Sequence, residues 1–225
     1  MISPFILDNI DKLNWKNLSE NSGAIPLLEA YPEKIHWNNL SANSSAIHLL
    51  EANPDKIDWS NLSENPGAIH LLEANPEKID WDYLSANSSA IHLLEANPDK
   101  IDWTQLSTNP GAIHLLEANP EKIDWEWLSI NPEAIHLLER EAKANSDKID
   151  WFNLSANPNA IHLLEIEAKE NPDNNINWNM LSTNPGAIHL LESEAKANPD
   201  NISWYYLSWN ENILELFNHR KPIMK

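Results

Sequence analysis

Tryptophan recurs at a fixed interval along this chain, and that interval constrains the fold more than any other feature. Trp15, Trp37, Trp59, Trp81, Trp103 and Trp125 lie 22 residues apart, and Trp151, Trp178 and Trp204 continue the series at spacings of 26, 27 and 26. Self-similarity with a period in the twenties is the mark of repeat architectures, in which each unit is one supersecondary element stacked on the next. Numbered from its Trp, the 22-residue unit reads WxxLSxNPxAIHLLEANPDKID. Position 4 is Leu from Leu18 to Leu207, position 7 is Asn from Asn21 to Asn210, and positions 2, 3, 6 and 9 vary.

The unit contains two helix starts. Position 22 is Asp, Asn or Ser before every Trp except Trp37, which follows His36. These residues are N-caps, whose side chains accept orphan N–H bonds of the first turn. Ile57 before Asp58 and Leu62 after it have the spacing of a hydrophobic staple. A first helix is therefore expected from the Trp to position 5 or 6. Asn at position 7 is expected to cap a second helix, often with Pro behind it, as at Pro66 and Pro110, where a missing N–H costs nothing. This second helix covers AIHLLEA and closes at an Asn-Pro pair such as Asn53-Pro54, because proline cannot continue it.

Beyond Leu138, Leu164 and Leu191 the chain inserts Glu-Arg-Glu-Ala-Lys, Glu-Ile-Glu-Ala-Lys and Glu-Ser-Glu-Ala-Lys. These are strong helix formers, and four added residues approximate one 3.6-residue turn. The insertion should lengthen the second helix without rotating its buried face. The further residue of the 27-residue repeat is assigned to the loop Asp173-Asn174-Asn175. Isolated helices this short are marginal in water, so the units must bury their apolar residues against one another. The expected fold is all-α: a single continuous α-solenoid of about nine short helix-turn-helix repeats. It has an N-terminal cap at 1–14, eight two-helix repeats at 15–203 and a C-terminal capping repeat at 204–225. In the caps, Phe5, Ile6 and Leu7 resemble a degenerate second helix. Trp209, Glu215 and Asn218 depart from the consensus, and Arg220, Lys221 and Lys225 place positive charge after it.

Composition narrows the function classes. Eleven Trp among 225 residues argue for a real core, since disordered chains are poor in aromatics. A formal net charge of −19 repels phosphate, so neither direct nucleic-acid binding nor binding to an anionic membrane is expected. The absence of cysteine removes disulfides and Cys-based zinc sites. The opening MISPFILDNIDKLN lacks a basic segment followed by a long apolar run, so export by its own signal is not expected. An intracellular setting follows as the expectation.

Position 12 carries a histidine ladder: His48, His70, His92, His114, His136, His162 and His189. At 100° per residue, positions 10, 11, 13 and 14 share one face and position 12 lies nearly opposite. The ladder is expected to lock repeat spacing by bridging to the next repeat or to the Glu three residues on, such as Glu51 for His48; a pH-responsive role is the alternative. A metal site is not expected, because histidines spaced one repeat apart would not converge on one ion. No cofactor motif is present, and with only four Gly no glycine-rich phosphate cradle exists. The repeated carboxylates (Glu51, Asp55, Asp58 and their equivalents) read as caps and a solvated face. The Trp of position 1 reads as core. Positions 2, 3 and 6 turn aromatic or bulky in later repeats: Tyr83, Trp127, Ile130, Phe152, Met180, Tyr205, Tyr206 and Trp209. Aromatics and Met are enriched in interface cores, so these eight are the candidate partner-binding residues.

The string KIDWxxLSxNPxAIHLLE, at 56–73, 100–117 and 122–139, resembles tandem-repeat proteins encoded by giant double-stranded DNA viruses. The resemblance covers nearly the whole chain. It implies a viral origin and a setting in the host cytoplasm or the viral particle, and implies no reaction. The combined expectation is a non-enzymatic protein–protein interaction scaffold for a host or viral partner, with a basic partner matching its charge. The alternatives are a self-associating virion or viral-factory protein, and an acidic nucleic-acid mimic that occupies a basic protein.

Overall fold

The computed structural model describes residues 3–171 and 175–213. Among them there are eighteen α-helices and no strand, in an all-α repeat solenoid whose helices pack neighbour to neighbour. The chain divides into two compact units, residues 1–106 and 107–225. Each is a stack of the same motif.

Every repeat opens with a short Trp helix, for example Trp59–Glu64 or Trp151–Ala156. The capping expected at position 22 is present: the Asp58 carboxylate accepts from Asn61 N–H at 3.0 Å, and Asp150 from Asn153 N–H at 3.0 Å. His36, the exception to the pattern, makes no side-chain cap.

The second helix begins later than expected. Its α-helical part starts with the isoleucine at position 11 of the repeat, as in Ile69–Ala74, and the Asn-x-x-Ala segment before it is a tight turn. Asn65 Oδ1 accepts from Gly67 N–H at 2.9 Å, so the Asn holds this turn rather than the α-helix. The lengthened repeats extend the Ile helix from six residues to eleven at Ile135–Asn145 and ten at Ile161–Glu170 and Ile188–Ala197. A third piece of helix adds to the two expected: Pro-Asp-Lys after the Ile helix makes one 3₁₀ turn, as at Pro54–Lys56. The Asn before it closes the Ile helix, with Asn53 Nδ2 donating to Leu49 O at 2.9 Å.

The core is a column of three residues per repeat. Leu62, Ala68 and Leu72 have no exposed surface, and the same holds for Leu84, Ala90 and Leu94 in the next repeat and for Leu154, Ala160 and Leu164 in the second unit. Burying a Leu side chain fully contributes ~1.5–3 kcal/mol, and Ala at position 10 lets the two helices approach closely. Tryptophan is not in this column. Trp15 through Trp178 are only half-buried and Trp204 is exposed, which corrects the reading of position 1 as core.

A buried polar ladder runs beside the apolar column. Ser41 Oγ donates to Trp37 O at 2.8 Å and accepts from Asp58 N–H at 3.0 Å. Its carbonyl accepts from Asn65 Nδ2, in the following repeat, at 2.9 Å. Asn43 and Asn87 repeat the step onto Ser19 O and Ser63 O. In the second unit the Asn amide is shared: Asn184 donates to Ser155 O at 3.2 Å and to Asn157 O at 2.9 Å. No buried side-chain nitrogen or oxygen among the described residues lacks a partner.

The inserted turns carry a second glutamate with a local task. Glu167 is buried; it accepts from Asn171 Nδ2 at 2.6 Å and from Asn175 Nδ2 at 3.2 Å. Glu194 does the same for Asn198 and Asn201, and Glu141 pairs with Lys148 at 2.8 Å. At the N-terminus, Pro4–Leu7 is a short helix whose Phe5 and Leu7 are exposed. Asp173 and Asn174, and Glu215, Asn218, Arg220, Lys221 and Lys225, lie outside the described residues.

Candidate interaction surface

The Trp helix directs its position-4 Leu and position-5 Ser inward, so positions 2, 3 and 6 lie toward solvent. Position 3 is also the third residue of the helix, and the cap fixes its backbone. Trp127 N–H donates to Asp124 at 3.2 Å, Met180 N–H to Asn177 at 2.9 Å and Tyr206 N–H to Ser203 at 3.4 Å. These side chains therefore project from an anchored backbone.

In the first unit Tyr83 is 45 % exposed. In the second unit Trp127 is 41 %, Phe152 51 % and Trp209 69 % exposed, with Tyr205 and Tyr206 also open. Ile130 and Met180 are half-buried and offer less surface. The helix Trp151–Ala156 packs on Trp178–Thr183, which packs on Trp204–Leu207. Phe152, Met180, Tyr205 and Tyr206 thus stand on three adjacent helices. Tyr205 and Tyr206 meet edge to face, with ring centroids 5.3 Å apart. Single exposed apolar residues are ordinary on a protein surface, but grouped ones are not.

The histidines occupy another face. Each paired histidine meets the Glu of the preceding repeat, not the Glu of its own. His48 Nε2 lies 2.9 Å from Glu29, His70 from Glu51, and His92 from Glu73, all in the first unit. In the second unit His136 pairs with Glu117 at 2.9 Å and His189 with Glu165 at 2.5 Å. His162 forms no such pair among the described residues. His114 also has a partner. The pairs are about half exposed, so each is worth ~0–1 kcal/mol after solvent screening. The hydrogen bond from His189 holds the Glu165 carboxyl below its ordinary value, against a smaller opposing effect of burial.

Sequence reasoning missed a third regular feature. The Lys three residues before a Trp reaches back over the ring of the previous Trp. Lys56 sits 4.6 Å from the Trp37 centroid, Lys78 4.5 Å from Trp59 and Lys100 4.4 Å from Trp81; in the second unit Lys148 lies 5.5 Å from Trp125. These are cation–π contacts. The signal is present in the sequence as the recurring Lys of KID, whose ammonium and the Trp face are complementary.

Asp58 caps a helix, Glu51 pairs with His70 and Glu167 holds a loop, while Asp55 is exposed to solvent. Among the described residues no group of three or more His, Asp or Glu is placed to hold a metal, and no helix is long and apolar enough to cross a membrane. An open polar groove of about 550 Å³ in the second unit is bounded by Glu126, Lys148, Asp150, Trp151 and Asn175. Its polar groups already have structural tasks: Asp150 caps the helix Trp151–Ala156, Lys148 pairs with Glu141, and Asn175 binds Glu167. Compared with known proteins, the chain matches no family model, no curated protein and no solved structure.

Proposed function

We propose that this chain is a non-enzymatic interaction scaffold that binds a protein partner through the exposed rings of its Trp helices. The observation that carries the reading is the placement of Phe152, Tyr205 and Tyr206 in solvent on the outer two of three successively packed helices of one unit, with Trp209 exposed in the turn after the last. The stacked repeats hold the backbone, and the variable positions supply the chemistry. Aromatic residues, Trp and Tyr above all, are enriched among the few that carry most of the energy of an interface. The net charge of −19 favours a basic partner, because it steers association with positive surfaces. The resemblance of the KIDWxxLSxNPxAIHLLE repeat to giant-virus proteins makes a host or viral protein in an infected cell the expected partner.

The test is a quantitative pull-down from infected-cell lysate at low and moderate salt. The bait is the full chain, compared with a variant carrying Tyr83→Ala, Trp127→Ala, Phe152→Ala and Tyr206→Ala. All four rings are substantially exposed, so the variant should keep its thermal midpoint. Loss of one specific partner supports the scaffold. Recovery of only the chain itself or of capsid components, unchanged in the variant, would replace it with a self-associating structural role.

A further inference from the structure

The lysine clamp stops after Lys148, and the Trp that opens the ninth repeat, Trp204, is left open. The residue three before each repeat Trp is Lys12, Lys34, Lys56, Lys78, Lys100, Lys122 and Lys148, and then Asn175 and Asn201. Trp151 and Trp178 therefore receive no lysine from the repeat that follows, yet both are still half-buried. No described repeat follows Trp204. Trp204 is 72 % exposed, and among the described residues no cation lies over its ring.

We infer that the open face of Trp204 is a receptor for a lysine or arginine side chain in a basic segment of a protein partner. This names the partner chemistry of the proposed scaffold and rests on that reading. Two observations point to a cation. Three successive repeats of the first unit set an ammonium 4.4–4.6 Å from the ring of the Trp at this position, whereas Trp15 meets the ring of Tyr31 instead. The electrostatic setting agrees, because Asp200 and Glu211 on either side in sequence are exposed and the whole chain carries −19. The ring's quadrupole attracts a cation at its face, and Trp does so best among the aromatics. A neutral apolar partner would gain nothing from the surrounding charge.

The probe is a fluorescein-labelled oligolysine peptide, titrated by anisotropy against the full chain at ~0.15 M salt, where diffuse attraction is screened beyond ~8 Å. Trp204→Ala should weaken binding roughly two- to fivefold, the size of an exposed cation–π contact. Trp204→Phe, which keeps a ring, should retain most of the affinity. The exposure of the ring means that both variants keep the wild-type thermal midpoint. Equal binding by wild type and Trp204→Ala would overturn the inference, since attraction would then be spread over the acidic surface. The scaffold reading is judged separately, by a variant in which Trp204 is intact. An oligolysine result independent of Trp204, together with a partner lost from the four-ring variant, would remove this inference alone.

Discussion

The side-chain amide of Asn65 donates to the carbonyl oxygen of Ser41, one repeat earlier, at 2.9 Å in a site closed to water. The same Asn accepts from Gly67 N–H. One side chain thus shapes the turn between the two helices of its own repeat and joins that repeat to the one before. Asp cannot take over both tasks, because an ionised carboxylate only accepts and the bond to Ser41 demands a donor.

Asn65→Ala should therefore destabilise the chain by about 2–4 kcal/mol, since it strands a buried carbonyl and frees a turn N–H. Asn65→Asp should cost more at neutral pH, because a carboxylate oxygen would face the Ser41 carbonyl in a buried site. Urea unfolding followed by tryptophan fluorescence measures both. A loss below that of an ordinary exposed Asn→Ala change would show that the ladder does not hold the repeats together.

Ala68 has no exposed surface, so added carbons at this position must displace its neighbours. Ala68→Val should cost ~1–3 kcal/mol through overpacking. Ala74→Val, at the exposed end of the same helix, should cost no more than the propensity difference of under ~0.7 kcal/mol. Thermal unfolding of the two variants side by side separates packing from propensity.

The histidine ladder is regular but solvent-facing, so regularity should not translate into much stability. A double-mutant cycle on His70→Gln and Glu51→Gln should give a coupling below ~1 kcal/mol, falling further with added salt. His162→Gln, which has no such carboxylate partner among the described residues, is the control. A coupling of several kcal/mol would make the ladder a principal determinant of stacking.

The Glu165 carboxyl is held below its ordinary value by the hydrogen bond from His189. A depressed folded-state value means that the folded chain binds this proton less readily than the unfolded chain does. The associated stability is present above the unfolded carboxylate value and is lost as pH falls through the lowered folded one. Glu165→Gln should therefore lower the thermal midpoint slightly near neutral pH, and its difference from wild type should shrink in acid. A difference that grows in acid would reverse the sign of this linkage.

The repeat period, the cap before every Trp but Trp37, the all-α class and the lengthened second helix are legible in the amino-acid sequence. Each follows from local chemistry: Asp58 can cap only the segment that starts beside it, and an inserted turn of good helix formers can only extend a helix already running. The variability of positions 2, 3 and 6, where Phe152 and Tyr206 stand, is legible as scatter against the fixed positions 1, 4 and 7.

What neighbours do to one another is not legible there. Asn65 reads as a helix cap because its local bond is the only one that spacing reveals; its bond to Ser41 exists only once two repeats are stacked. His70 has Glu73 of its own repeat and Glu51 of the preceding one within the same pattern, and packing chose the latter. Tryptophan reads as core because it is large and invariant, yet the column between the helices is filled by Leu62, Ala68 and Leu72. The indole is displaced to the rim, where its face is free to take a lysine. Sequence by itself determined the unit and its period, because both depend on bonds within about four residues. Tertiary structure decided which polar atoms meet, which rings are buried and which remain open, because those outcomes depend on the distance and angle between repeats.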